Sequence, residues 1–318
     1  MSALFRSEDL LVAVHRTAPI DPRDAFRGDY VRLTYEMSRV PKALCLGKLA
    51  GMAFEKVSAD TVVYAALEVG QDKVARLTSL ALEPPSSGPF VRGRTERAGN
   101  GLGVRYGLEA FFMEQGKGLE LERGRSREGI QVPLEMEAAV SPGGVAVLKD
   151  YRWCPLGMGV ALETKEVTRP NGQRQRQAIA AKVRLRNASS NALAIVDLPE
   201  GRSLALVPDR SWAENPWRWV PPQETQSAPG PSHVVVLQPG QVHEMRVPFD
   251  DPRWSVSKDD RRESPQPLAS ANFGQDWSRF SFEYRPPPEA PWASLTNAKL
   301  IWHGTLLSPA FNPAGNVD

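Results

Sequence analysis

The sequence is poor in the residues that usually announce chemistry. Only two cysteines, Cys45 and Cys154, and four histidines, His15, His233, His243 and His303, occur in 318 residues. Thiols this far apart make neither a metal-type pair nor a C-x-x-C redox motif, and two of them say little about redox compartment. A bridge between them is left open. The histidines lack H-x-x-x-H or H-E-x-x-H spacing, so no metal is expected. Charge of one sign is missing too: 39 basic against 37 acidic residues give a formal net charge of +2, far from the basic excess of a dedicated nucleic-acid binder. No stretch reaches the roughly 18 consecutive apolar residues that span a bilayer. The opening M-S-A-L-F-R-S-E-D-L-L-V-A-V is too charged for the apolar core of a signal peptide. As it stands the chain is expected to be soluble, with no nucleic acid as partner and no cofactor.

Turn formers are abundant. The 28 prolines and 25 glycines suit the loops of a β-rich protein better than long helices, so a mainly β architecture is expected. The length allows two cores. The boundary is placed near Asp150, giving domains 1–150 and 151–318 with one cysteine in each.

The segment Ala18–Tyr35, A-P-I-D-P-R-D-A-F-R-G-D-Y-V-R-L-T-Y, combines a turn signal, clustered charge and strand alternation. Pro19 and Pro22 fix extended or turning backbone, Asp21 and Asp24 can cap amides, and Gly28 with Asp29 supplies a tight turn. From Tyr30 the chain alternates, with Tyr30, Arg32, Thr34 and Glu36 on one side and Val31, Leu33, Tyr35 and Met37 on the other, the period of a half-buried strand. The loop is either an internally hydrogen-bonded corner or an exposed edge where Arg23, Arg27 and Asp29 recognise a partner.

Gly28, Asp29, Tyr30, Leu33 and Tyr35 resemble the motif of the bacterial GDYXXLXY protein family. A second run, Arg105, Tyr106, Gly107, Leu108, Glu109, Phe111 and Phe112, followed by Glu114 and Gly116, also resembles that family's pattern, so the resemblance covers about residues 12–150. It implies no assigned activity. It does imply an envelope-associated protein, on the extracytoplasmic side, because members of the family often carry an apolar segment just ahead of the equivalent of Val12–Pro19. This chain begins close to that point, so membrane association is expected only through a segment absent from it.

Further along the first domain, Val62–Glu68 and Val74–Leu82 read as a hairpin around Val69–Lys73, and Phe90–Arg94 as a short strand. The basic, glycine-bearing stretch up to Val104 reads as a flexible loop, its Gly99, Gly101, Gly103 and Gly107 lacking both G-x-G-x-x-G spacing and a following G-K-[ST]. K-G-L-E-L-E-R-G-R-S-R-E after Gln115-Gly116 fits a short solvated helix. Val132–Val140 and Val145–Leu148 close the domain as a hairpin.

Beyond Tyr151 the strand candidates are Met158–Thr164, Ala178–Arg186, Leu193–Leu198, Ser203–Val207, His233–Leu237, Val242–Phe249, Arg279–Tyr284 and Lys299–Leu306. That set suits an immunoglobulin-like β-sandwich. Gln238-Pro239-Gly240-Gln241 reads as a hairpin turn that would set His233 near Arg246 and His243 near Val236. Two long loops, Asp209–Ser232 with Trp212, Trp217 and Trp219, and Asp250–Asp276 with Trp254, interrupt the sandwich. Their tryptophans either pack the loops onto the sheet or form an aromatic surface for a ligand such as a carbohydrate.

A catalytic set is hard to assemble. G-D-Y-V after a proline-bearing turn resembles a segment of signal-peptidase-like serine proteases, yet Ile20 stands near the nucleophile position and no serine lies between Ser7 and Ser38. Glu109 and Glu114 are close in sequence and nothing else supports an acid-base pair. The expectation is therefore a noncatalytic binding or scaffolding protein that recognises a protein partner, membrane proteins included, through charged loops. Its candidate binding residues are Asp21, Arg23, Arg27, Gly28, Asp29, Tyr30, Tyr35, Arg105, Tyr106, Glu109, Glu114, Trp217 and Trp219. The alternative is an enzyme using Asp21, Asp29, Arg105 or Glu109 in a cleft, or a carbohydrate or cell-wall binder using Trp217 and Trp219.

Overall fold

Strands account for most of the regular structure, as the turn-rich composition requires. The computed structural model describes residues 8–18, 29–98, 101–113, 126–168, 174–209, 215–222, 230–258, 264–271, 273, 278–286, 295, 297–313 and 316–317. Among these the α-helix is limited to the single turn Lys48–Gly51. The chain divides into two units, Met1–Ser126 with Pro133–Cys154, and Arg127–Val132 with Pro155–Asp318. Cys45 and Cys154, assigned to different domains by sequence, both fall in the first unit, buried and unbridged.

The first unit contains β1 (Glu8–Ala18), β2 (Asp29–Tyr35), β3 (Arg39–Val40), β4 (Val62–Val69), β5 (Val74–Ala81), β6 (Phe90–Ala98), β7 (Gly101–Arg105) and β8 (Ala110–Met113). After β9 (Ser126–Arg127) and β10 (Ile130–Gln131), which pair in the sheet of the second unit, come β11 (Leu134–Val140) and β12 (Ala146–Trp153). The sheet runs β12-β11-β1-β5-β4-β6-β7-β3, with β2 joined to β1 and β8. The pairings are antiparallel except for a short parallel contact of β1 with β5. On β2 the period-two pattern is realised: Val31, Leu33 and Tyr35 are buried, as is Met37 just beyond the strand, while Arg32, Thr34 and Glu36 are exposed.

The glycine-bearing stretch before Val104 is not a loop. β6 continues to Ala98 and β7 begins at Gly101, in register from Arg94 opposite Arg105 to Ala98 opposite Gly101. The reason is visible in the alternation of Val91, Gly93 and Thr95, all buried, with exposed Arg92 and Arg94; the basic residues are the outer face of a strand. Of the segment expected as a short helix after Gly116, residues 117–125 lie outside the described residues, and its end, Ser126–Arg127, is strand β9 rather than helix.

The second unit adds β13 (Leu156–Thr168), β14 (Arg174–Asn187), β15 (Leu193–Val196), β16 (Leu204–Asp209), β17 (Trp217–Trp219), β18 (Val234–Leu237), β19 (Val242–Pro248), β20 (Ser255–Lys258), β21 (Gln266–Pro267), β22 (Arg279–Tyr284), β23 (Leu306–Leu307), β24 (Phe311–Asn312) and β25 (Asn316–Val317). They form sheets β19-β14-β13-β10-β9, β15-β18, β16-β22-β24-β25 with β23 on β22, and β17-β20-β21.

Three expectations fail here. The turn Gln238–Gln241 is present, closed by the Gln241 amide on the Gln238 carbonyl at 2.9 Å, but its flanking strands do not pair as a hairpin. β18 pairs with β15, whereas β19 pairs with β14 and sets His243 opposite Leu185. The apolar β18, V-V-V-L, pairs with the equally apolar β15, L-A-I-V, whereas the mixed β19 pairs with the charge-bearing β14, where Glu244 faces Arg184. Second, both long loops contain strands: β17 pairs with β20 and β20 with β21. Third, Lys299–Leu306 is not a continuous strand; Asn297 in the left-handed region, φ 67°, opens a 3-10 turn Ala298–Leu300, Ile301 makes a single parallel bridge to Ala194, and a strand begins only at Leu306.

Candidate functional site

The two motifs meet through backbone and tyrosines. The Leu33 amide donates to the Glu109 carbonyl at 2.9 Å, and β2 pairs with β8, Asp29 opposite Met113 through Arg32 opposite Ala110. Tyr35, 1% exposed, donates its hydroxyl to the Leu108 carbonyl at 2.5 Å. Reciprocally, Tyr106, 5% exposed, donates to the Met37 carbonyl at 2.8 Å. Burial first, and the charge of Glu109 second, hold both phenols well above the ordinary tyrosine range. Each motif therefore supplies a phenol that satisfies a backbone carbonyl of the other. Both hydroxyls are thus engaged inside the core; Tyr35 is buried there, while the ring of Tyr106 still lines a groove at the surface.

Glu109 has a structural task as well. Its carboxylate accepts the Tyr106 amide at 2.6 Å and the Gly107 amide at 3.0 Å, closing the turn between β7 and β8. Gly107 sits in that turn at φ 79°, which glycine adopts at little cost. Both carboxylate oxygens are thus engaged by the chain itself.

Beside this turn a groove of about 260 Å³ opens, lined by Arg92, Arg94, Arg105, Glu109, the glycines Gly93 and Gly107, Val62, Tyr106 and Val145. β6 sends Arg92 and Arg94 outward on either side of Gly93. A Cβ on Gly93 would meet Val104 Cγ1 at 2.5 Å and Tyr106 Cδ1 at 3.0 Å, so the strand lies tightly on the buried tyrosine. Arg105 is neutralised by Asp60 at 2.9 Å and Glu96 at 3.3 Å. Arg94 donates to the Asp60 backbone carbonyl at 2.9 Å and has no ion pair of its own among the described residues, the Asp60 carboxylate being taken by Arg105. Arg92 has its amide on the Gly144 carbonyl at 2.7 Å, while its guanidinium has no acceptor among the described residues. Of the groove residues, sequence reasoning identified Arg105, Tyr106 and Glu109. It missed Arg92 and Arg94, although F-V-R-G-R was already legible as a strand with its arginines on one face.

Elsewhere in the first unit Glu135, buried on β11, bonds Arg152 Nε at 2.5 Å. Asp72 is held by Arg76 at 2.6 Å. Burial raises the Glu135 carboxyl above its usual range, opposed by Arg152 and by a bond from Cys154.

In the second unit Trp217 is 3% exposed and packs on Phe273 at 4.9 Å. Trp219 donates its indole N–H to the Arg253 carbonyl at 2.8 Å and stacks on Trp254 at 5.9 Å. Both anchor the strand-bearing loops to the core. His243 Nε2 lies 2.7 Å from Asp197 Oδ2, with no serine or cysteine side chain bonded to the pair among the described residues.

Asp21, Arg23, Arg27, Gly28 and Glu114 lie outside the described residues, and Asp29 and Tyr30 are fixed only as backbone of β2. Among the described residues no group of three or more histidine, cysteine or carboxylate side chains has the arrangement to hold a metal. None of their helices is long and apolar enough to cross a membrane.

Residues 12–150 match the family model of the GDYXXLXY protein, a partial segment of the 318-residue chain. No curated protein and no solved structure matches the chain.

Proposed function

We propose that this is a noncatalytic, envelope-associated binding protein whose first unit takes a protein partner at the groove beside β6. The observation that carries the proposal is the uncompensated pair Arg92 and Arg94, exposed on one strand face at the rim of the described groove. Charge-assisted bonds from arginine are a common means of protein recognition. The tyrosines and Glu109 of the motifs support the same reading, since their polar atoms are engaged in holding the groove wall. An enzyme reading through Glu109 has less support, because a carboxylate bound by two backbone amides is poorly placed to move protons. A carbohydrate reading through Trp217 and Trp219 is weakened by their packing.

The location on the extracytoplasmic side rests on the family resemblance. An immunoglobulin-like sandwich for the second unit is part of the proposal; the turn Gln238–Gln241, which passes the chain from β18 in one sheet to β19 in another, supports it.

A photocrosslinking amino acid at Val145, on the groove rim, tests the binding role in cells expressing the native gene. A discrete protein adduct that is lost in Arg92→Glu, and absent when the crosslinker replaces Val242 on the second unit, is the expected result. Adducts indifferent to both changes, or none, would reject it. Fractionation with protease accessibility tests the location, which a cytoplasmic pool alone would reject.

A further inference from the structure

We infer that the groove recognises an extended peptide segment carrying carboxylates at alternate positions, an Asp/Glu-x-Asp/Glu pattern, flanked by apolar side chains. The inference rests on the binding reading above and adds the chemistry of the partner.

Three features lead to it. Arg92 and Arg94 stand two residues apart on β6, so their attachment points are separated by about 6.7 Å along the strand. An extended peptide repeats its same-side positions at that same spacing. Two guanidiniums attached at this spacing match two carboxylates on alternate residues better than one compact anion, for which several donors must converge on a point.

The balance of charge points the same way. Arg105, the third arginine, is already engaged by Asp60 and Glu96, and Glu109 by two amides. The free attraction is therefore concentrated on Arg92 and Arg94. Finally, the lining is partly apolar: Val62, the Tyr106 ring and the 45%-exposed Val145 share the groove with the arginines. A highly hydrated phosphate has no use for that surface, whereas a peptide bearing Val or Leu on the same side as its acids, flanking them, does.

The test is selection of random heptapeptides displayed on phage against the full chain, run in parallel on Arg92→Ala and Arg94→Ala after both variants are shown to melt as the parent does. The expected outcome is enrichment of Asp or Glu at two positions separated by one residue on the parent, reduced to a single acidic position on each variant. A synthetic peptide of the enriched sequence should bind about tenfold or more weaker to Arg92→Ala, as expected for loss of a charge-assisted bond, and to be similarly weakened when its acids become Asn or Gln. Inorganic phosphate should compete no better than chloride at equal ionic strength.

Selections with no acidic pattern, no binders, or profiles identical on parent and variants would overturn the inference, and so would specific competition by phosphate. If the Val145 adduct forms and depends on Arg92 while the selected peptides show no acidic pattern, the binding reading stands and this inference alone falls. If no adduct forms, the reading falls with it.

Discussion

Five of the six tyrosines lie in the first unit and seven of the eight tryptophans in the second, and the two cores are held together differently as a result. The first is mainly aliphatic, built from small contributions such as Val31, Leu33, Val63, Leu80, Val91 and Leu108. Two of its tyrosines, Tyr35 and Tyr106, act as tethers, donating hydroxyls to carbonyls across the motif pair. The second has a run of rings: Phe249 on Phe311 at 5.9 Å, Phe311 on Phe282 at 4.9 Å, and Phe282 against Trp254 at 5.4 Å. Even its buried Tyr284 reverses the polarity of the tether, accepting the Val196 amide at 2.7 Å. Aliphatic packing tolerates slippage, so hydrogen bonds help fix the register of β2 against the β7–β8 turn. Ring packing has its own preferred geometry. The comparison teaches that Tyr35 and Tyr106 of the motifs and Trp217, Trp219 and Trp254 of the loops, all conspicuous in sequence, serve their cores.

The largest effect should come from breaking the ring stack. Phe282→Ala removes a fully buried ring that contacts both Phe311 and Trp254, and large-to-small changes of this kind cost about 3–5 kcal/mol. Because the tryptophans are concentrated in the second unit, intrinsic fluorescence on denaturant unfolding reports that unit. The midpoint should fall steeply there, while tyrosine absorbance from the first unit shifts little. Equal shifts of both signals would mean that the units do not have separate cores.

Next in size are the tethers. Tyr35→Phe and Tyr106→Phe keep the ring and leave a buried carbonyl without its donor, at a cost of about 1–3 kcal/mol each. Both changes act on the contact between the same two segments, so their combined cost should differ from the sum of the single costs. Strict additivity in a double-mutant cycle would show that the motifs are held independently.

Glu135 gives a smaller, pH-dependent contribution. Its folded-state carboxyl is raised by burial, so the folded state holds a proton that the unfolded chain has already released. Stability gained from the protonated group is complete below the unfolded value, near pH 4.3 for an ordinary glutamate, and is lost as pH rises through the folded value. Glu135→Gln should flatten that falling slope in the first unit just above the usual carboxylate range. An unchanged slope in tyrosine-monitored melts would reject the assignment.

How much of this was legible in sequence depended on how local the signal was. The period-two burial of Val31, Leu33 and Tyr35 could be read directly, because side-chain alternation is a property of the strand itself. The β6–β7 pairing was hidden by glycine: Gly101 and Gly103 suggest a loop, yet opposite Ala98 and Glu96 they occupy ladder positions. The exchange of partners at Gln238–Gln241 was invisible because a turn sequence fixes chain reversal and not which sheet each strand joins. The site suffered from the same limit. Arg105, Tyr106 and Glu109 stood in a recognisable motif, whereas Arg92 becomes their neighbour only once β6 is laid beside β7.

The smallest stability effect belongs to the residue with the largest expected effect on binding. Arg92 is exposed, and its guanidinium has no acceptor among the described residues, so Arg92→Ala should alter stability within about 0.5 kcal/mol. Gly93→Ala, one residue along, pushes a methyl toward Val104 and Tyr106 and should destabilise the first unit, because overpacking costs about 1–3 kcal/mol. The pair separates the two faces of one strand, with Gly93 serving the fold and Arg92 the partner. A substantial loss of stability in Arg92→Ala, measured by tyrosine-monitored unfolding, would assign this arginine to the structure of the first unit and remove the central support for the groove as a binding site.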